Sequence, residues 1–150
     1  MQCKNRESLG RLIYLTSGEI KNFAEKLLAP FDLTLEQFHL LKNLSRDEGA
    51  SQRALGEMTG KTPANVTRIL ARLEQKNLVC RRRSRRDRRT IHVHLTDRGT
   101  TLVREVFSVF ETFSERLTAG VPEEKQRETR RVLETITENI KSMSLDMEQQ

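Results

Sequence analysis

The chain has 150 residues, which is enough for one ordinary domain with a hydrophobic core and too few for two independent domains. Hydrophobic residues make up 35% and charged residues 32%, yet Leu, Ile, Val and Phe number 39, so we expect a folded chain. No apolar run approaches the roughly 20 residues that cross a bilayer, and no apolar segment follows the charged residues at the start, so we expect no signal peptide. With only Cys3 and Cys80, a disulfide framework is excluded, and we expect a cytoplasmic protein without a membrane partner.

The net charge of +6 is concentrated in one short segment. Residues 81–89 contain seven arginines and one aspartate, so the rest of the chain, with 20 basic and 20 acidic residues, is neutral. Such a cluster is typical of a surface that binds a polyanion, because each arginine that meets a phosphate releases condensed counterions. A solvated loop, a nuclear-localisation-like patch and an RNA-binding arm are the alternatives that the composition leaves open.

The first half of the chain has the pattern of several helices. Apolar residues recur at three- and four-residue steps over 8–28, which predicts an amphipathic helix that Pro30 ends. Thr34 and Gln37 have the spacing of a capping box, so a second helix is expected from Thr34 to about Leu44. Gly49 breaks the pattern.

Two short helices follow. Ser51 suits the N-cap of a helix whose apolar side is formed by Ala54, Leu55 and Met58, and residues 59–61 form a turn containing glycine. Thr62 caps the next helix, over 62–76, and Pro63 occupies its first position. This helix has one apolar stripe, made of Val66, Ile69, Leu70 and Leu73. The arrangement predicts a helix-turn-helix.

The chain then changes character. Residues 78–80 lead into the arginine cluster, and beyond it Ile91, Val93 and Leu95 alternate with polar residues, which predicts a half-buried strand and a β-hairpin wing. A long helix should run from Thr96 to Gly120, and a last helix should open at 121–124 and fray from about Ser144.

The long helix carries more apolar surface than one neighbour can cover. Its eight apolar positions between Leu102 and Leu117 spread over roughly 160°, whereas one packing surface requires about 100°. An obligate homodimer, joined through the terminal helices 8–29 and 97–143, is the simplest way to bury this surface. A compact monomer in which these helices pack on each other is the alternative.

The outward face of the 62–76 helix suits a major groove. It is centred on Ala64, Arg68 and Gln75, and its side chains can bond adenine (Asn65), contact a thymine methyl (Thr67) and bond guanine or phosphate (Arg68). Thr62 lies at the helix N-terminus, where phosphate binds well. The arginine tip would reach the adjacent minor groove. The alternatives are a plain cap for Thr62 and a solvated surface for Asn65 and Arg68.

Residues 87–99, DRRTIHVHLTDRG, resemble the wing signature of the MarR (multiple antibiotic resistance regulator) family: an Asp, an Arg two residues on, a strand, then Leu-Thr and a Gly. The order and lengths of the helices from about residue 8 to 140 are also similar to that family. The resemblance implies a mainly α fold with a small β-hairpin wing, in which a winged helix-turn-helix (34–96) lies between dimerisation helices in a single unit, 1–150.

The resemblance also implies a function. It indicates a dimeric, sequence-specific transcription regulator that binds a palindromic operator in double-stranded DNA, usually a repressor released by a small ligand or oxidant. The helix 62–76 would read the major groove, and Arg89, oriented by Asp87, would enter the minor groove from the wing, 81–90. The predicted DNA-binding residues are Ser51, Gln52, Arg53, Thr62, Ala64, Asn65, Thr67, Arg68, Arg72, Arg83, Arg85, Arg86, Asp87, Arg88 and Arg89.

An effector would bind between the dimerisation helices and the winged helix. By resemblance, Tyr14, Phe31, Phe38 and Phe113 are the candidate lining residues, with plain core packing as the alternative. In the peroxide-sensing branch of the family a reactive cysteine lies in the first helix, but Gly10 occupies the matching position here. Redox sensing through Cys3 or Cys80 is therefore only a minor alternative.

Other chemistry has little support in the sequence. His92 and His94 share one face of a strand, but two ligands do not make a metal site and His39 is distant, so we expect no metal and no cofactor. The chain has no Gly-rich phosphate loop, nucleophile elbow or Cys-His-Asp constellation, and we predict that it is not an enzyme. A sequence-indifferent architectural DNA-binding or RNA-binding protein is the main alternative.

Overall fold

The computed structural model describes residues 8–44, 49–83 and 91–148, and their side chains as far as Leu145. The described elements are α1 (Leu9–Leu28), a 3-10 turn (Ala29–Phe31), α2 (Leu35–Leu44), β1 (Ala50–Ser51), α3 (Gln52–Thr59), α4 (Pro63–Gln75), β2 (Val79–Arg83), β3 (Ile91–Leu95), α5 (Asp97–Leu117) and α6 (Glu123–Glu148). The predicted fold class, mainly helical with a small β wing, is confirmed. The chain forms two compact units that divide between Phe110 and Glu111.

The helices of the first unit begin where their capping residues predict. The Thr34 amide donates to Gln37 Oε1 and the Gln37 amide donates to Thr34 Oγ1, both at 3.2 Å, which is a reciprocal capping box. Ser51 caps α3 by accepting from the Ala54 amide at 3.1 Å. At the turn between α3 and α4, Gly60 takes a left-handed conformation with φ of 64°, which a glycine adopts without steric cost.

The three strands form one antiparallel sheet in the order β1-β3-β2. The hairpin of β2 and β3 pairs Val79 with Leu95 at its base and Arg83 with Ile91 at its outer end. Strand β1, in which Ala50 pairs with Val93 and Ser51 with His92, was not predicted. Two residues are too few to show a periodic pattern, so this strand is visible only in the folded chain.

The core of the first unit lies between α2, α4, the sheet and the start of α5. It includes the fully buried side chains Leu28, Leu40, Leu41, Leu55, Val66, Leu70, Leu73, Val93 and Val106. Phe38 stacks on Phe110 with ring centroids 4.9 Å apart and meets Phe107 edge-on at 5.8 Å. The sequence places Met58 on the buried apolar side of α3, and this prediction is wrong because Met58 is exposed. Leu55 is the residue of this eight-residue helix that is buried.

The start of α5 is locked against the base of the wing. Thr96 Oγ1 accepts from the Gly99 amide at 3.0 Å and donates to the Asn77 carbonyl at 2.7 Å. Gly99 is buried, and a Cβ at this position would lie 2.0 Å from the carbonyl oxygen of Leu78. The contact therefore requires glycine, because backbone atoms cannot move aside as a flexible side chain can.

The second unit contains the end of α5 and all of α6. No side chain of α6 is buried as far as Leu145, and Val132, Leu133, Ile140, Met143 and Leu145 are all exposed. The helix continues to Glu148, whereas fraying was predicted from about Ser144. The last turns contain neither Gly nor Pro and are rich in good helix formers such as Met, Leu and Glu, which explains the extension. Within the described ranges, no helix is both long and apolar enough to cross a membrane.

Candidate nucleic-acid interface

Helix α4 presents a polar face by burying the opposite one. Its apolar stripe, Val66, Ile69, Leu70 and Leu73, lies in the core. Thr62 caps the helix by accepting from the Asn65 amide at 3.4 Å, and Pro63 starts it. The predicted reading residues lie on the other face, where Asn65 is half-buried and the rest are exposed: Ala64, Asn65, Thr67, Arg68 and Arg72. The stripe thus fixes which side chains face outward.

The polar side chains on this face are hydrogen-bonded to one another. Arg68 Nη2 donates to Asn65 Oδ1 at 2.6 Å. Thr67 Oγ1 donates to the Pro63 carbonyl at 3.0 Å and accepts from Gln52 Nε2 of α3 at 3.1 Å. The hydroxyl proton of Thr67 is therefore used within the helix, and its methyl group is the part left for an apolar contact. The Gln52 bond ties the first turn of α3 to α4.

Charged groups surround the helix-turn-helix. Lys61 Nζ, in the turn before α4, lies 2.9 Å from Glu36 Oε1 of α2. This hydrogen bond, together with the positive charges of Lys61 and Arg68, holds the pKa of Glu36 below its ordinary value. Partial desolvation, with the nearby positive charges of Lys42 and Lys61, lowers the pKa of His39 as well.

Arg53 is engaged on its own helix. Its Nε lies 2.9 Å from Glu57 Oε1, one turn further along α3, and this hydrogen bond raises the pKa of Arg53. Both side chains are largely exposed. Ser51, the N-cap of α3, is half-buried, and its side chain accepts from the Ala54 amide. Of the three predicted DNA contacts at the start of α3, Ser51 caps the helix, Gln52 hydrogen-bonds to Thr67 of α4, and Arg53 forms an ion pair with Glu57.

The base of the wing is positively charged and is joined to α4. Arg81, Arg82 and Arg83 are exposed along β2, and Arg81 Nε lies 3.4 Å from Glu74 Oε1 near the end of α4. This pair links the wing to the helix that precedes it. The other predicted wing residues, Arg85, Arg86, Asp87, Arg88 and Arg89, lie outside the described residues.

The histidines and cysteines are placed as follows. Cys80 is half-buried and lies directly opposite His94 in the β2–β3 ladder. The ring centroids of His92 and His94 are 6.4 Å apart. In the part of the chain that is described, no three His, Cys, Asp or Glu residues group in a way that could hold a metal ion. Cys3 lies outside that part.

The four aromatic candidates for an effector pocket have different surroundings. Phe38 is buried in the core and Tyr14 is exposed on α1. Phe113 is half-buried in the second unit. Phe31 lines a cleft of about 660 Å³ in the first unit, together with residues from the end of α4 and the start of α5. Tyr14, Phe38 and Phe113 do not line this cleft.

The cleft has a charged rim. Lys76 Nζ lies 3.0 Å from Asp32 Oδ2 and also donates to the Asp32 carbonyl. Asp32 itself has φ of 52°, a conformation that a non-glycine residue adopts at some cost. Arg98 and Glu105 of α5 also line the cleft. The cleft therefore offers partners for both signs of charge beside an aromatic ring.

Several contributing residues were not identified from the sequence. Lys61 and Glu36 are 25 residues apart, and Gln52 and Thr67 are 15 apart. Local periodicity carries no signal for pairs at such separations. The Asn65–Arg68 pair has the i, i+3 spacing that brings side chains together on a helix, so this contact could have been predicted.

Comparison with known proteins identifies the family. The MarR family model matches residues 33–91. The HTH-type transcriptional repressor Rv2887 of Mycobacterium tuberculosis is 30% identical over 128 residues, which cover 85% of this chain and 92% of that protein. A structure of Staphylococcus aureus MepR in complex with DNA is similar with a TM-score of 0.81 and 27% identity, covering 89% of this chain and 99% of that one.

A second solved structure agrees. The transcriptional repressor CouR, bound to a 23-mer DNA duplex, is similar with a TM-score of 0.81 and 26% identity, covering 91% of this chain and 97% of that one. The family predicted from the wing signature and the helix order is therefore confirmed. This chain belongs to the MarR family of transcription regulators and is not an enzyme.

Proposed function

We propose that the protein is a homodimeric repressor that binds a palindromic DNA operator, with α4 in the major groove and the wing, 81–90, in the adjacent minor groove. The observation that carries the proposal is the outward face of α4, whose polar side chains stand on a fully buried stripe. The relatives MepR and CouR, which have this fold, were solved with DNA. A helix of this kind fits the roughly 12 Å width of a major groove.

The wing supplies the electrostatic part of binding. Arg81, Arg82 and Arg83 lead outward along β2, and the sequence continues with four more arginines up to Arg89. We place Arg89 in the minor groove, where a narrow A·T-rich segment concentrates negative potential, with Asp87 orienting its guanidinium. Arginines along the groove edge, which include Arg83, Arg85, Arg86 and Arg88, meet phosphates and release counterions.

The exposed apolar faces support the homodimer. In α6, Leu133, Ile136, Ile140 and Met143 follow one another at steps of three and four residues, and all remain accessible to water. In α1, Leu12, Leu15 and Phe23 are exposed as well. A second copy of the chain would cover such faces and would match the two half-sites of a palindrome.

The proposal includes release from DNA by a small-molecule effector. The cleft beside Phe31 supports this part, because it combines an aromatic ring and Leu102 with charged groups of both signs at its rim. It adjoins the last turn of α4, through Gln75 and Lys76, and the first turns of α5. A ligand bound there would contact the end of α4, the helix that carries the proposed DNA-binding face.

The test is specificity. Purified protein is titrated against duplexes from the region upstream of its own gene and against a scrambled duplex of the same composition, at one fixed salt concentration. A regulator should prefer its operator by about 10³-fold or more. Equal affinity for both duplexes would refute the proposal and favour an architectural protein, and tighter binding of the same sequence as RNA would favour the RNA-binding alternative.

A further inference from the structure

The hydrogen bond between Asn65 and Arg68 fixes the orientation of the Asn65 side-chain amide on the outward polar face of α4, which we call the reading face. Arg68 Nη2 lies 2.6 Å from Asn65 Oδ1. A guanidinium has only donors, so the amide oxygen must face it, and the amide NH2 must point away. The reverse orientation would bring two donors together. Arg68 thus determines how Asn65 is presented.

The bond also holds the guanidinium. Arg68 is exposed, and an exposed arginine in a helix loses considerable rotamer freedom when it is fixed on a target. Asn65 is half-buried one turn earlier on the same face and accepts one of the five N–H groups of Arg68. An arginine held in advance on a neighbouring acceptor keeps its planar fork ready for a bidentate contact and loses less freedom on binding.

The neighbouring polar side chains of Thr67 and Arg53 are hydrogen-bonded to partners other than Asn65 and Arg68. The Thr67 hydroxyl donates to the Pro63 carbonyl and accepts from Gln52. The Arg53 guanidinium is paired with Glu57 on α3. On the first two turns of α4, Asn65 and Arg68 are therefore the side chains that carry unused N–H donors toward the target.

We propose that Asn65 is a positioning residue that holds Arg68 for the recognition of guanine, rather than a direct reader of adenine. This inference rests on the proposed function. Adenine requires both an acceptor and a donor from the amide, whereas Arg68 occupies one of the two lone pairs of the Asn65 oxygen and places a competing donor beside it. Guanine presents two acceptors, N7 and O6, to the major groove, and the remaining N–H groups of Arg68 match them.

The experiment selects binding sites from a pool of random duplexes with the wild-type protein and with the variants Asn65→Ala, Arg68→Ala and Asn65→Asp. The wild type should fix a guanine in each half-site. Arg68→Ala and Asn65→Ala should both relax the preference at that same base pair, by about 5- to 150-fold. Asn65→Asp should keep the guanine, because a carboxylate accepts from Arg68 at least as well as an amide.

A modified base tests the atomic contact. Replacing the selected guanine by 7-deazaguanine removes the N7 acceptor, which should weaken binding by the wild type about 10-fold and leave the affinity of Arg68→Ala unchanged. Arg127→Ala is the matched control, since Arg127 is an exposed arginine of α6 whose partner is Glu123, and its loss changes the net charge equally. Its base preference should equal that of the wild type.

The outcomes separate this inference from the proposed function. If the wild type enriches no sequence, the regulator function fails and the inference fails with it. If the wild type enriches a site but Asn65→Ala and Arg68→Ala relax different base pairs, the inference alone is overturned. It is also overturned if adenine occupies the position that Asn65 controls, or if Asn65→Asp loses the guanine.

Discussion

Helices α4 and α6 both carry an apolar stripe with the helical period, but the stripe of α4 is buried and that of α6 is exposed. In α4, the four apolar residues of the stripe are at most 4% exposed. In α6, Leu133 is 42% exposed, Ile140 54% and Met143 57%. The same helical period thus predicts an apolar face in both places but does not reveal what covers it. The difference teaches that the α4 stripe is buried by its own chain, whereas the described part of the chain leaves the α6 stripe exposed.

The largest expected effect comes from placing a charge on the α6 stripe. In Ile140→Glu, each copy brings an unpaired carboxylate to the proposed interface, which costs about 3 kcal/mol or more per copy. Two-fold symmetry applies this cost twice, about 6 kcal/mol in all, so dimer affinity should fall by about 10⁴-fold or more. Sedimentation over a range of concentrations measures the change.

The control for this variant adds the same charge elsewhere on the helix. Ser142 is exposed on the side of α6 away from the stripe, and Ser142→Glu should leave the dimer intact. If the wild-type chain sediments as a single copy, or if Ile140→Glu dimerises as well as wild type, the exposed stripe of α6 does not serve assembly.

The next effect lies inside the first unit. In Gly99→Ala, the added methyl group would stand 2.0 Å from the Leu78 carbonyl oxygen, so either the start of α5 or the base of β2 must shift. We expect the free energy of unfolding in urea to fall by about 2–3 kcal/mol. Gly18→Ala is the control, because its added Cβ, in the middle of α1, would meet no atom within 4 Å apart from the adjoining backbone of its own helix. That variant should gain roughly 0.5–1 kcal/mol. Equal stability of the two variants would show that the α5–β2 contact is not tight.

The smallest effect concerns the ion pair beside the helix-turn-helix. Because the pKa of Glu36 is lowered in the folded chain, the pair stabilises the fold fully above the ordinary Glu pKa, and this contribution is lost as the pH falls through the lowered pKa. In Lys61→Met the pKa of Glu36 should rise, and the loss of stability in acid should become smaller. The change should be below about 1 kcal/mol, since Glu36 is exposed. NMR titration of the Glu36 carboxyl group measures it, and an unchanged pKa would contradict the assignment.

Local chemistry was readable from the sequence, and contacts between distant segments were not. The capping box of Thr34 and Gln37 and the stripe of α4 follow from spacing, and both are present in the structure. Strand β1 was missed because its two residues are defined only by pairing with Val93 and His92. In the candidate site, the residue types on the face of α4 were predicted. The bond between Gln52 and Thr67 depends on how α3 packs against α4, which no single helix reveals.

Ser51 is part of both the sheet and the helix-turn-helix, because its main chain pairs with His92 of β3 and its side chain caps α3. No linker therefore separates the sheet from the helix-turn-helix at this point. If α4 and the wing each occupy a groove, the main-chain pairing of Ser51 with His92 holds the helix-turn-helix against the described strands of the wing. An operator in which one base pair is inserted between the two contacted stretches should then be bound by one element or the other, but not by both.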